Sequence, residues 1–159
     1  MEEAVTNSTV LIFLSKIRKL NLLNIYKVFT TQNIIKEVLE GKGISDIEKI
    51  NIQEFITSKI KIENPKKIIL QKGIGESSAI SLCIEKEFNI FLSDDKQARK
   101  AAELFSLKSK GCLGLILENL EDKNITKEEA VEILNSLIKN NYYLTTEIYT
   151  KILELINKY

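Results

Sequence analysis

Histidine is absent from this 159-residue chain, and with it go the commonest general base and the usual zinc ligand. Any chemistry must run on carboxylates, hydroxyls or lysine. Cysteine is scarce. Cys83 and Cys112 lie far apart without C-x-x-C spacing, each in an apolar helical context, which favours two buried, reduced thiols over a disulfide or metal pair and fits a reducing cytosol. No apolar run reaches the roughly 18 residues of a membrane span, and the Met1-Glu2-Glu3 opening lacks the basic flank of a signal peptide. The expected location is the cytoplasm, with no membrane partner. Neither sign of charge is in excess: 23 Lys plus Arg stand against 22 Asp plus Glu. Nothing global attracts a polyanion, so nucleic-acid binding would need a local basic patch. There is one proline, and no repeat, low-complexity run or linker divides the chain.

What is present is 44% apolar and 28% charged residues, the balance of an ordinary globular protein. The length suits one domain with a real core and is too short for two. Glu3 to Thr6 can enter a strand, and Asn7-Ser8-Thr9 offers three capping candidates before the apolar run Val10 to Leu14. Tyr26 to Phe29 reads as a second strand. Thr30-Thr31 then caps a helix carrying Ile34, Ile35, Val38 and Leu39, closed by Gly41. Ile44 to Ile56 reads as helix, and Lys59 to Glu63 as a short strand before Asn64-Pro65. From Gly75, the residues Ala79, Ile80, Cys83 and Ile84 fall on one helical stripe, followed by a buried-looking strand from Asn89 to Ser93. Asp94 stands three residues before Gln97, a capping-box spacing, ahead of a helix whose Ala98, Ala101, Ala102 and Phe105 form one face. Leu107 to Lys110 reads as strand, and Gly111-Cys112-Leu113-Gly114 turns into a helix through Leu120. Two further helices follow, the first capped by Thr126 with Glu129 and running through Ile138, the second starting at Thr145 or Thr146. Strands separated by helices imply parallel pairing with helices on both faces.

In an open parallel sheet the ligand crevice lies beyond the carboxyl ends of the strands, which directs attention to Asn7-Ser8-Thr9 and Ser93-Asp94-Asp95. Helix capping is the ordinary account of both. Two adjacent aspartates exceed what one cap uses, so one of them needs another account. Glu76 lies on the same stripe as Ala79, Ile80 and Cys83; an inward carboxylate is costly unless paired or bound to a cation, although a first-turn position could also release it to water. Glu37 flanks the Ile34, Ile35, Val38 face, where a solvated glutamate is the default. Lys96, Arg99 and Lys100 follow the paired aspartates as a solvated helix face that would also suit phosphates. In the last helix Ile148, Ile152, Leu153, Leu155 and Ile156 offer more apolar surface than one stripe requires, which either completes the core or meets a partner.

Five stretches recur in order along the chain: Thr6-Asn7-Ser8-Thr9-Val10-Leu11-Ile12 with Lys16-Ile17 and Leu20 to Leu23, then Ile34-Ile35-Lys36-Glu37-Val38, Gly75-Glu76 with Ala79-Ile80, Leu92-Ser93-Asp94-Asp95-Lys96 with Ala98-Arg99, and Lys110-Gly111 with Leu113-Gly114. Together they resemble a short prokaryotic branch of the PIN-domain family, whose members are described as nucleic-acid-binding or toxin-like. The resemblance implies a three-layer α/β/α sandwich around a mostly parallel sheet of about five strands. It also implies one domain over 1–159, with an α/β core to about 122 and a helical extension from about 126. By the same resemblance the chain would be a Mg²⁺- or Mn²⁺-dependent ribonuclease, with the toxin of a toxin–antitoxin pair as one setting, and with RNA, a small antitoxin protein and a second copy of itself as partners. Carried over by position, the acids of the site fall on Asn7, Glu37, Glu76, Asp94 and Asp95, with Asn7, Glu76, Asp94 and Asp95 as metal ligands. Ser8, Thr9, Ser93, Lys96, Arg99 and Lys100 would face the nucleic acid. A hard divalent ion wants oxygen ligands and keeps several waters, which these residue types allow. Asn7 stands where active members carry an aspartate. A neutral oxygen there should weaken Mg²⁺ binding and relieve repulsion among the remaining acids. The alternative implied is a weak or inert module that binds RNA or a small protein without cleaving.

Overall fold

The computed structural model describes residues 1–71 and 73–159. Strands β1 (Glu3–Thr6), β2 (Lys27–Thr30), β3 (Ile60–Ile62), β4 (Ile90–Leu92) and β5 (Lys108–Lys110) form one sheet in the order β3-β2-β1-β4-β5, with every pairing parallel. The sequence of burial explains that order. Ala4, Val5 and Thr6 of β1 and all three residues of β4 are buried, as the middle of a sheet covered on both faces requires. The two edge strands carry Lys61, Lys108 and Lys110, charges that discourage edge-to-edge pairing.

Helices α1 (Ser8–Lys16), α2 (Gln32–Glu40), α3 (Asp46–Lys59), α4 (Ile74–Glu85), α5 (Lys96–Glu103) and α6 (Cys112–Glu121) flank the sheet as a three-layer α/β/α sandwich. The sheet grows outward from β1 and β4 in opposite directions, so right-handed crossovers put the helices leading to β2 and β3 on one face and those leading to β4 and β5 on the other. Helices α7 (Lys127–Lys139) and α8 (Thr146–Asn157) pack on α6, and their Ala130, Ile133, Leu134, Leu137, Ile152 and Ile156 join the same apolar core as the sheet. Ile148, by contrast, stays exposed. Among the described residues no helix is long and apolar enough to cross a membrane.

Several expected boundaries shift for physical reasons. The second strand begins at Lys27, because Tyr26 is taken by a side-chain network: its Oη donates to Glu118 Oε2 at 2.6 Å and accepts from Lys110 Nζ at 2.8 Å. A 3-10 segment, Leu20–Ile25, fills the turn before it and buries Leu20, Leu22 and Leu23. Phe105 is outside α5 and exposed, since the helix stops at Glu103 and the chain reverses at Ser106, φ 60°. Gly41 closes α2 in an extended conformation, φ −63°, rather than the left-handed one.

Five of the helix ends share one construction. Arg18, Glu87, Ser106, Lys123 and Asn141 all have left-handed φ without being glycine. After each, an amide reaches back five residues: Lys19 to Leu14, Phe88 to Cys83, Leu107 to Ala102, Asn124 to Asn119 and Tyr142 to Leu137. These are Schellman turns, which satisfy the last carbonyls of a helix and normally use glycine to avoid a Cβ penalty. Lys123→Gly should therefore stabilise the fold by about 0.5–1 kcal/mol, the relief of the left-handed penalty less the added unfolded-state entropy. Lys123→Ala should leave it unchanged. Urea denaturation of the two variants checks this.

Candidate active site

From β1 the strand order runs outward to β2 and β3 on one side and to β4 and β5 on the other, so the chains leaving β1 and β4 part company at their carboxyl ends. This is the topological switch point, where open α/β sheets place their ligands. Asn7 and Ser93 are the first residues beyond the two strands, and they bridge the gap. The Asn7 amide N–H donates to Leu92 O at 2.8 Å, and its Nδ2 donates to Ser93 Oγ at 3.1 Å. Ser93 Oγ also accepts from the Asp95 amide at 3.1 Å, while Thr9 Oγ1, 3.5 Å away from it, accepts from the Asp94 amide at 2.9 Å. Asn7 occupies the N-cap position of α1, yet its side chain makes no capping bond. Capping is thus not what the residue does. Its Oδ1 is buried without a hydrogen-bond partner among the described residues.

Glu37 and Glu76 approach from α2 and α4. Ser8, buried at the start of α1, donates to Glu37 Oε1 at 2.7 Å, while the rest of that glutamate is exposed. The other oxygen lies over Gly75, where a Cβ would collide with Glu37 Oε2 and press Ile34 Cδ1 at 3.1 Å. Glycine here lets the first turn of α4 come against α2. The contact is locked by hydroxyls: Thr31, the cap of α2, meets Ser78 Oγ at 2.6 Å, and Ser78 donates to Gly75 O at 2.7 Å. Glu76 follows in that first turn, where the helix dipole favours a carboxylate. It is half-buried, and its Oε1 is shielded from solvent.

The two aspartates divide between two helices. Asp95, not Asp94, is the N-cap of α5, its Oδ1 accepting from the Gln97 amide at 2.8 Å and the Ala98 amide at 2.9 Å. The capping-box spacing of Asp94 with Gln97 is therefore coincidental. Asp94 turns instead to α6. Its Oδ1 accepts from the Cys112 amide at 2.9 Å and from Tyr142 Oη at 2.6 Å, and its Oδ2 from Cys112 Sγ at 2.9 Å. Gly111 leaves the room for this, since a Cβ there would collide with Asp94 Oδ1. Lys96 and Lys100 are exposed on α5, and Arg99 is half-buried.

A cleft of about 310 Å³ beside Glu37 and Gly75 is lined also by Asn33, Lys36 and Glu40. A larger one, about 440 Å³, lies by Asn21, Asn24 and Asn119. It opens before the amino end of β2, away from the strand ends where the polar residues gather.

A family model for the PIN domain matches residues 3–158. The chain belongs to the PIN-domain family. No curated protein and no solved structure matches it. Membership supports a nuclease-type module, and PIN domains generally depend on a divalent metal. In this PIN domain no three Cys, Asp or Glu side chains among the described residues come together as a metal site. The donors at the β1–α2–α4 corner are nonetheless of one chemical kind: the unused, buried Oδ1 of Asn7 and the carboxylates of Glu37 and Glu76. An all-oxygen set with one or two carboxylates fits a hard divalent ion that keeps much of its water. Asp94 is more heavily engaged, with two donors on Oδ1 and the Cys112 thiol on Oδ2, which leaves Oδ2 a lone pair for a cation.

Cys112 and Tyr142 are the residues that sequence reasoning missed here. Cys112 carries no visible signal beyond burial, and Tyr142 sits in a stretch legible only as a helix break. Their contact with Asp94 has an electrostatic consequence. Burial first, and the neighbouring carboxylate second, push the Cys112 thiol and the Tyr142 phenol well above their ordinary values. Burial also lifts the Cys83 thiol to about 12, and burial with the Glu118 hydrogen bond lifts Tyr26 to about 12. Each group keeps its proton in the fold longer than in the unfolded chain. The stability this gives is complete below the unfolded values, 9.0 for the thiols and 10.0 for the phenols, and is lost as pH climbs toward 12. Urea midpoints should accordingly be flat to about pH 9 and fall with increasing steepness above 10. Tyr142→Phe should cost about 1–3 kcal/mol at pH 7, because a charged, half-buried acceptor loses a donor; a Phe variant as stable as the wild type would remove Tyr142 as an anchor.

Proposed function

We propose that this PIN domain is a Mg²⁺- or Mn²⁺-dependent ribonuclease acting at the crevice between the carboxyl ends of β1 and β4. The observation that carries the reading is the buried Oδ1 of Asn7, an acceptor without a donor among the described residues, together with the Ser8–Glu37 pair. Burying an unsatisfied polar atom costs free energy unless something completes it, and a cation completes an acceptor. Asn7, Glu37 and Glu76 would hold the ion, with Asp95 as the exposed acid at the mouth of the crevice. The bound ion would lower the pKa of an attacking water and neutralise charge on the phosphodiester. Ser8 fixes the orientation of Glu37, and Ser93 fixes that of Asn7. Lys96, Arg99 and Lys100 on α5 meet the RNA backbone next to Thr9 and Ser93. A cytoplasmic toxin restrained by a small antitoxin protein is the setting the family resemblance suggests, and a homodimer its assembly.

A second reading is favoured by a different observation. Asp94 already accepts from the amide and thiol of Cys112 and from Tyr142, and Asn7 carries no charge, so the crevice offers a cation less negative charge than an all-acid cluster would. On that reading the module binds RNA or a small protein without cleaving it. Calorimetric titration of Mn²⁺ paired with cleavage of a fluorophore-quencher RNA separates the two. Glu76→Gln and Asp95→Asn should each lower cleavage by more than the 10–100-fold that outer-shell partners typically carry, with unchanged circular dichroism. Asn remains a good cap at position 95. Asn7→Asp should raise metal affinity by about tenfold or more, because the Ser93 hydroxyl can reverse and donate to the new carboxylate. Absence of saturable metal binding in both the wild type and Asn7→Asp would leave the binding module as the function.

A further inference from the structure

Between the end of α7 and the start of α8 lies a groove of about 400 Å³, lined by Ile138, Tyr142, Tyr143, Leu144 and Tyr149. Three phenol rings in one groove is an unusual use of five tyrosines in a 159-residue chain. Two of the rings are fixed. Tyr142 stacks edge-on against Phe13, with centroids 5.0 Å apart and the planes at 73°, and Tyr149 Oη donates to Asn135 Oδ1 at 3.2 Å. The third, Tyr143, is 85% exposed and Ile138 is 40% exposed. Neither ring nor methyl groups are needed there for the core.

One residue belongs both to the groove and to the border of the crevice. Tyr142 forms the groove's inner wall and, through its hydroxyl, holds Asp94 at the end of β4. Positive charge lies nearby: Asp94, which Tyr142 holds, directly precedes Asp95, the cap of α5, and Lys96, Arg99 and Lys100 stand on that helix. Asp94, the acid nearest the rings, spends its charge on three donors.

We propose that this groove is a stacking platform for the bases of single-stranded RNA, with Tyr143 as its outer ring, leading the strand into the β1–β4 crevice. The assignment gives the ribonuclease proposed above a surface on which its strand is held outside the crevice, and rests on that reading for its purpose. Bases suit the surface better than an aliphatic partner helix does. Successive rings offer π-faces spaced along a strand, the neighbouring arginine and lysines answer the phosphates, and stacking tolerates every base. A duplex, whose bases are already stacked on one another, would gain nothing from the rings.

The test is fluorescence anisotropy of a labelled single-stranded RNA of about ten nucleotides with the full chain in EDTA, so that binding is read without cleavage. Tyr143→Ala should weaken binding by about tenfold, within the range that one stacked base carries, and Tyr143→Phe should restore it to within about twofold, because the ring and not the hydroxyl stacks. The same strand made abasic should bind the wild type at least as weakly as the intact strand binds Tyr143→Ala, since it loses every stacked base. Equal affinity of wild type and Tyr143→Ala overturns the proposal, as does equal affinity for intact and abasic strands or no binding by the wild type. Sedimentation of the same proteins covers the remaining occupant: a dimer that Tyr143→Ala converts to monomer, with RNA affinity unmoved, assigns the groove to a second copy. If binding behaves as expected but no metal supports cleavage in any variant, the platform stands and the ribonuclease reading falls.

Discussion

Two buried parallel strands, β1 and β4, lie side by side and send their chains away in opposite directions. The backbone that leaves them ends up partly buried with no neighbouring strand to pair with, and buried amides and carbonyls must find partners. Side-chain hydroxyls and one amide supply them. Thr9 and Ser93 accept the amides of Asp94 and Asp95, and Asn7 spans the gap from Leu92 O to Ser93 Oγ. Asparagine, with a donor and an acceptor on one side chain, uses the donor to join the strands and leaves the acceptor over the crevice. The polar composition of the strand ends is therefore a structural requirement first. Whatever chemistry takes place there uses what that requirement leaves over.

The adjacent acids show the same economy of means. Two neighbouring carboxylates repel, and the fold separates them by giving each its own helix terminus, α5 to Asp95 and α6 to Asp94. Helix N-termini stabilise negative charge. Asp94 is bound more tightly, since a thiol and a phenol add to the backbone donor. The Glu37–Glu76 side of the crevice is built by close approach instead: Gly75 permits it, and the Thr31–Ser78–Gly75 hydroxyl chain fixes it.

Much of the architecture was legible because it rests on local rules. The alternation of short apolar runs with capped, amphipathic helices places the strands to within a residue and the helices to within a residue or two, and misses by more only where α3 runs on past Ile56 to Lys59. Thr31, Thr126 and Thr145 cap where their spacing says they should. Helix ends were harder to read, for a definite reason: five of them use Arg, Glu, Ser, Lys or Asn in the left-handed position, and only glycine would have marked it. At the strand ends the residue types were visible and their partners were not. Local spacing assigns Asp94 to Gln97, whereas its true partners are 18 and 48 residues away, Cys112 and Tyr142. A carboxylate's choice between a near amide and a far phenol is settled by tertiary packing, which no window of sequence contains. Glu76 was legible for a better reason, because its place on an apolar helical stripe already says that it faces inward.

The tie from Tyr142 to Asp94 joins the last quarter of the chain to the loop after β4, and it is set by the Schellman turn at Asn141 that ends α7. Chains emerge from the ribosome amino end first. The sheet and the first six helices can therefore be complete while Asp94 still lacks one of its three donors, and the loop that borders the crevice takes its final shape only after residue 142 has been made. Whatever this crevice does, its border waits during synthesis for a turn that follows the whole sheet in the chain.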